Sequence, residues 1–134
     1  MEEAPDKWLY EYAVVRYMPK PERGEFINIG LIMMCKRQKW FKGEIVLNKE
    51  KINSLFPGTD VDFLERQSSL FKCSDVPYKD LPTEEKYRWL SAVKSAGIRI
   101  SPSHPALIVT DNKFLPDFEI LENEFQRLMS LLVL

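Results

Sequence analysis

Two apolar runs, Leu9 to Tyr17 and Phe26 to Cys35, are separated by Pro19, Lys20, Pro21, Glu22, Arg23, Gly24 and Glu25. No other stretch constrains the fold as much. The first run is rich in β-branched and aromatic residues, which suit a pleated surface. The connector cannot be strand interior, because two prolines so close together remove ladder donors. Tyr10 to Met34 therefore reads as two antiparallel strands joined by a loop longer than the usual hairpin turn. The rest of the chain has to pack on that pair.

Strand alternation assigns the faces. In the first strand Tyr10, Tyr12, Val14 and Arg16 point one way, and Leu9, Glu11, Ala13, Val15 and Tyr17 the other. In the second, an unbroken alternation groups Ile27, Ile29, Leu31, Met33 and Cys35 against Asn28, Gly30, Ile32, Met34 and Lys36. Both faces are apolar from Leu31 to Met34, the mark of a central strand covered on two sides. Gly30 inside the run signals a bulge or a close backbone approach.

After a basic turn, Trp40 to Leu47 alternates again and completes a three-stranded meander. Asn48 is placed to cap a short helix carrying Ile52, Leu55 and Phe56, stopped by Pro57 and Gly58. Asp60 is placed to cap a second, with Phe63, Leu64, Gln67, Leu70 and Phe71 at helical spacing. A loop with Cys73 and Pro77 follows. Pro82 and Thr83 open a third helix, with Glu84 and Glu85 at its positive end and Trp89, Ala92, Val93 and Ala96 as its stripe, flanked by Tyr87 and Leu90. Gly97 closes it. Ile98 to Ser101 is expected as a short strand, Pro102 to Pro105 as a rigid turn, and Ala106 to Thr110 as a further β-like run. Pro116 and Asp117 introduce a last helix with Phe118, Leu121, Phe125, Leu128 and Leu132 on one stripe. Its apolar end, Leu131 to Leu134, is expected to dock on the sheet.

The expected fold class is α+β: an antiparallel meander of three to five strands packed against helices, as a single domain over residues 1–134. At 45% hydrophobic and 29% charged residues, the chain has the make-up of a globular protein rather than a disordered one. A net charge of −1 argues against a generic nucleic-acid binder, which needs a basic excess to release phosphate counterions. Cys35 and Cys73 are too few for a disulfide scaffold. Glu2, Glu3 and Asp6 are the opposite of a basic signal-peptide start, and no apolar run approaches the roughly 20 residues of a membrane helix. A cytoplasmic protein with reduced thiols and no membrane association is the expectation.

Chemistry-bearing side chains gather in few places. Arg16, Glu22, Arg23 and Glu25 lie close in sequence, with Asn28 on the next strand. Two arginines near one strand end suit bidentate recognition of phosphate or carboxylate. Two glutamates suit acid–base work if their environments differ. The plainer alternative is that these charges pair with one another and fix the loop. His104 is the only histidine, and with two scattered cysteines it cannot complete a standard zinc set, so no metal is expected. As a base it would need a nucleophile such as Ser101 or Ser103 and an orienting acid; a structural role in the turn is the simpler reading. Lys36, Arg37, Lys39 and Lys42 with Trp40 and Phe41 could serve single-stranded nucleic acid, but such lysines more often protect a hairpin tip or edge strand. Gly-rich phosphate loops, GxSxG and HExxH are absent, and no cofactor is expected.

Two blocks carry a family resemblance. YEYAVVRYMPKPERGEFINIGLIMMC resembles the N-terminal signature of a bacterial domain-of-unknown-function family, number 3037, and KYRWLSAVKSAGIRISPSHPALI resembles its later signature. The matching positions are Arg16, Pro19, Glu22, Arg23, Glu25, Phe26, Asn28 and Gly30, then Arg88, Trp89, Leu90, Ser95, Ser101, Pro102 and His104. Lys94 departs from an expected arginine, and Pro105 and Ala106 from a small polar pair. The family brings no activity. The resemblance implies a bacterial protein often encoded beside a HipA-like kinase, hence a partner or regulator.

The leading expectation is a non-catalytic binding or regulatory module acting with a protein partner. A small enzyme or ligand-binding protein for an anionic substrate and a nucleic-acid accessory protein are the alternatives. The candidate ligand- or partner-binding residues are Arg16, Glu22, Arg23, Glu25, Asn28, Arg88, Ser101 and His104. If both blocks met at one end of the sheet, these would line one cleft.

Overall fold

The two apolar runs form the central pair of an antiparallel sheet. A computed structural model of the chain describes residues 6–71, 80–93, 97–110 and 115–134. The lead-in before Asp6, most of the loop with Cys73 and Pro77, and Lys94, Ser95 and Ala96 lie outside the described residues. β1 (Asp6–Tyr17) pairs with β2 (Ile27–Cys35), and β2 with β3 (Trp40–Ile45), which is the expected meander. The connector after β1 holds a short 3-10 turn at Pro21–Arg23, ended by Gly24 in the left-handed region at φ 69°. That conformation costs a residue with a Cβ and is free to glycine.

The second strand does not alternate evenly. Val15 faces Gly30 while Arg16 faces Asn28, so Ile29 is an extra residue in the ladder. This bulge flips the side-chain parity along β2. Ile27, Ile29, Ile32 and Met34 enter one core, and Leu31, Met33 and Cys35 enter the other. The grouping expected from unbroken alternation is corrected accordingly. Gly30 also meets the neighbouring strand closely: a Cβ there would stand 2.5 Å from the Glu44 carbonyl oxygen.

On the other side of β1 lie β4 (Ile98–Ile100) and β5 (His104–Thr110). Ile100 faces Val15 and His104 faces Tyr12, so Ser101, Pro102 and Ser103 span only Ala13 and Val14. The rigid turn expected at Pro102 to Pro105 is thus a second one-residue bulge, and the chain runs straight on along β1. An edge strand tolerates Pro105, whose missing N–H removes no essential ladder bond there.

Helices cover both faces. Residues Ala13, Val15 and Tyr17 of β1 share a core with α1 (Lys49–Leu55), α2 (Val61–Ser68), the 3-10 turn Ser69–Phe71 and α3 (Thr83–Ser91). Trp8 and Tyr10 share the opposite core with α4 (Asp117–Leu132) through Leu121, Phe125, Leu128 and Met129. Both caps form as their sequences require: Asn48 accepts from the Lys51 amide and Asp60 from the Phe63 amide.

Four apolar side chains expected to face inward, Leu55, Phe63, Trp89 and Phe118, are instead exposed. The first three helices are seven to nine residues long, and each presents a narrow stripe to the sheet. In α3 that stripe is Tyr87 and Leu90, not one running through Trp89. At the end of the chain Val133 docks, while Leu131 and Leu134 remain exposed.

Candidate functional site

The residues singled out in the sequence fall into separate places. Arg23 and Glu25 occupy the β1–β2 connector and form an ion pair at 2.8 Å, with both side chains largely in solvent. They line, with Lys20, Tyr17 and the Pro57–Gly58–Thr59 segment, a cleft of about 350 Å³. At its wall the Tyr17 and Thr59 hydroxyls hydrogen bond at 3.2 Å, and the Tyr17 ring meets Phe56 edge-on. Glu22 is exposed in the same connector. The self-pairing weighed for this loop is therefore present for Arg23 and Glu25.

Arg88 stands elsewhere. With Glu11, Lys36, Glu84, Tyr87 and Met34 it lines a smaller cleft of about 220 Å³ at the far part of β1. Glu11 and Tyr17 are separated by roughly 20 Å of strand. The single cleft expected from joining the two sequence blocks does not form: Arg23 and Glu25 lie beyond the Tyr17 end of β1, whereas Arg88 sits beside Glu11 farther back along the strand.

The Ser101–His104 segment is held from two sides. The Ser101 hydroxyl accepts from the Val14 amide at 2.8 Å, and the Ser101 amide donates to the Val14 carbonyl at 2.9 Å. The same hydroxyl donates to the Pro102 carbonyl at 3.0 Å. Ser101 thus supplies the acceptor that an unbulged ladder would have supplied from the backbone. Ser103 hydrogen bonds at 2.7 Å to the hydroxyl of Tyr87, which rises from α3. Burial pushes the Tyr87 phenol up to about 12, against the lowering effect of the Ser103 hydrogen bond. His104 lies exposed with its ring 5.3 Å from that of Tyr12. Neither serine is hydrogen bonded to it, so a nucleophile–base pair is not assembled among the described residues.

The basic stretch after β2 is engaged by the fold only in part, with Arg37 and Lys39 exposed. Lys36 pairs with Glu84 at 3.2 Å, and Lys42 pairs with Glu122 and lies over the Phe125 ring at 5.0 Å. Trp40 packs edge-on against Phe125. The aromatic ring therefore belongs to a core rather than to an open stacking platform.

Arg16 and Asn28 are directly opposed on β1 and β2, on the face covered by α4. The Arg16 guanidinium lies 4.2 Å from the centre of the Phe26 ring. Asn28 donates to the Leu132 carbonyl at 2.9 Å and so fixes the end of α4. On its other side Arg16 faces Arg99 of β4. The sequence reading passed over Arg99; the alternation Ile98–Arg99–Ile100 was the signal, since it sends the arginine to the face opposite the buried isoleucine.

One surface stands out at the other end of the sheet. Leu9, Leu107 and Val109 are 59%, 58% and 51% exposed. Leu9 faces Leu107 across the ladder, and Val109 follows two residues along on the same side. β5 pairs only with β1, which leaves its outer edge open among the described residues. The opposite edge strand, β3, pairs only with β2, and the Phe71 carbonyl lies over one face of it, 3.2 Å from where a Gly43 Cβ would stand.

No helix among the described residues is long and apolar enough to cross a membrane, and no three His, Cys, Asp or Glu side chains there are grouped to hold a metal. Comparison with curated proteins and with solved structures finds no match. A family model does match, over residues 12–133, and it spans both bulged strands, all four helices and the connector. The chain belongs to the family described as protein of unknown function DUF3037.

Proposed function

We propose that this protein is a non-catalytic binding module of the bacterial cytoplasm that takes a protein partner along β5. The occupant is an extended segment of that partner, added as a further strand outside β5 with apolar side chains over Leu9, Leu107 and Val109. The observation that carries the reading is the coincidence of an open strand edge with three half-exposed aliphatic side chains on one face. Edge strands of this kind are normally blunted by charge or covered, because their unpaired N–H and C=O groups template pairing with another chain. Strand addition uses those groups for affinity and the flanking side chains for specificity. Burying the exposed part of each aliphatic side chain contributes about 1 kcal/mol. Arg88, Glu11 and Glu84, in the neighbouring cleft, supply a polar rim.

The family resemblance makes a HipA-like kinase the first partner to test. Co-expression with such a kinase, followed by purification, is expected to recover a complex with the wild-type chain and with Arg23→Ala, and to lose it with Leu107→Lys. Recovery with Leu107→Lys equal to wild type counts against docking at β5.

A further inference from the structure

At the opposite end of β1, three polar side chains form a row across adjacent strands. Asn28 of β2, Arg16 of β1 and Arg99 of β4 are successive cross-strand partners, so all three share the face that carries α4. Neighbouring strands lie about 4.8 Å apart, which sets the spacing of the row. Two guanidinium groups directly opposite one another repel, and sheets ordinarily avoid the arrangement. A carboxylate between them would remove the difficulty, yet among the described residues neither arginine has an ion-pair partner. The acids of the nearby connector do not serve, since Glu25 is taken by Arg23 and Glu22 is exposed in the loop.

Each member of the row also has bonding capacity left over. Arg16 Nε is buried without a hydrogen-bond partner, and so is Asn28 Oδ1. Arg99 uses one nitrogen on the carbonyl of its own neighbour, Ile98, at 2.9 Å. The Arg16 guanidinium carbon lies over the Phe26 ring, and this cation–π contact consumes none of its N–H donors. We propose that Arg16 and Arg99, with Asn28 beside them, form a binding site for a phosphate-type oxyanion, either free phosphate or a phosphate monoester. Paired guanidiniums fit such an oxyanion because each offers two parallel N–H donors to two oxygens. The site lies away from β5, so its failure leaves the partner reading untouched, and the reverse holds.

The test is a titration of the full chain with inorganic phosphate and with phosphoserine at constant ionic strength, followed by NMR of the arginine side chains and by calorimetry. Saturable binding that shifts the Arg16 Nε signal is expected. Arg99→Met and Arg16→Met are each expected to weaken it about tenfold or more, whereas Arg37→Met, in the β2–β3 turn, leaves it unchanged. Should Arg16→Met fail to fold, Arg99→Met alone decides, because Arg99 is half-exposed on a short edge strand. Tighter binding of phosphoserine than of phosphate assigns the site to a monoester, and equal binding assigns it to the free ion; both support the proposal. A linear response matched by chloride, equal competition by acetate, or an Arg37→Met effect as large as that of Arg99→Met would overturn it.

Discussion

Replacing Ser101 by alanine tests the bulge that joins β4 to β5. The Ser101 hydroxyl is the acceptor for the Val14 amide at 2.8 Å, and both residues are buried. Alanine fits the space but leaves that N–H without a partner. An orphaned buried donor costs about 1–3 kcal/mol. The loss of the hydroxyl itself offsets part of this, since a buried polar group has been removed along with its desolvation. The lost volume is a single oxygen atom, so the cavity contribution is small beside the orphaned amide. At about 2 kcal/mol the urea midpoint falls by about 1 M with an unchanged slope, and Tm by roughly 5–10 °C. Ser101→Thr keeps the acceptor and is expected to lose less. Amide hydrogen exchange supplies a local readout: Val14 loses protection in Ser101→Ala. A stability within about 0.5 kcal/mol of wild type, with Val14 still protected, would refute the assignment of Ser101 to the ladder.

Three further outcomes follow from the packing. Gly30→Ala forces a methyl group to within 2.5 Å of the Glu44 carbonyl oxygen, and denaturant titration is expected to show a loss of about 1–3 kcal/mol despite the entropic gain of removing a glycine. Burial acts to raise the Glu124 carboxyl, but hydrogen bonds from Arg127 and Tyr10 outweigh it and hold it below the usual carboxylate range. A depressed folded pKa means this contribution is full above the unfolded value of 4.5 and is lost as pH falls below it, so acid titration monitored by tryptophan fluorescence should lose stability there, and less so in Glu124→Gln. Leu107→Lys, at an exposed position, is expected to change the melting temperature little, which separates a binding defect from a folding one.

The meander, the helix caps and the two-sided burial of β2 were legible in the sequence because each has a local chemical cause. Prolines exclude ladder, Asn48 and Asp60 cap, and a continuous apolar run needs cover on both faces. The inner faces of β2 were not legible past Gly30. The glycine marked the place of a bulge, but whether an extra residue was inserted depended on the partner strand. Pro102 and Pro105 read as a turn for a similar reason: an edge strand accepts proline, and edge position is a tertiary fact. Trp89 fell on a helical stripe yet faces out, because a short helix buries only what the sheet beneath it reaches, and Phe118 faces out in the first turn of the sixteen-residue α4. Of the candidate residues, Arg16 and Asn28 do meet, Arg23 and Glu25 pair with each other, and Arg88 lies with Glu11 instead. Ser101 turned out to stabilise the backbone, a role that no spacing rule in the sequence distinguishes from chemistry.

The most direct measurement is amide hydrogen exchange on the purified chain with and without the co-purified partner. Strand addition predicts slowed exchange at the β5 amides that do not pair with β1, together with loss of both protection and complex in Leu107→Lys. Protection confined to the Arg23 connector or to α4, with β5 unchanged, would contradict it.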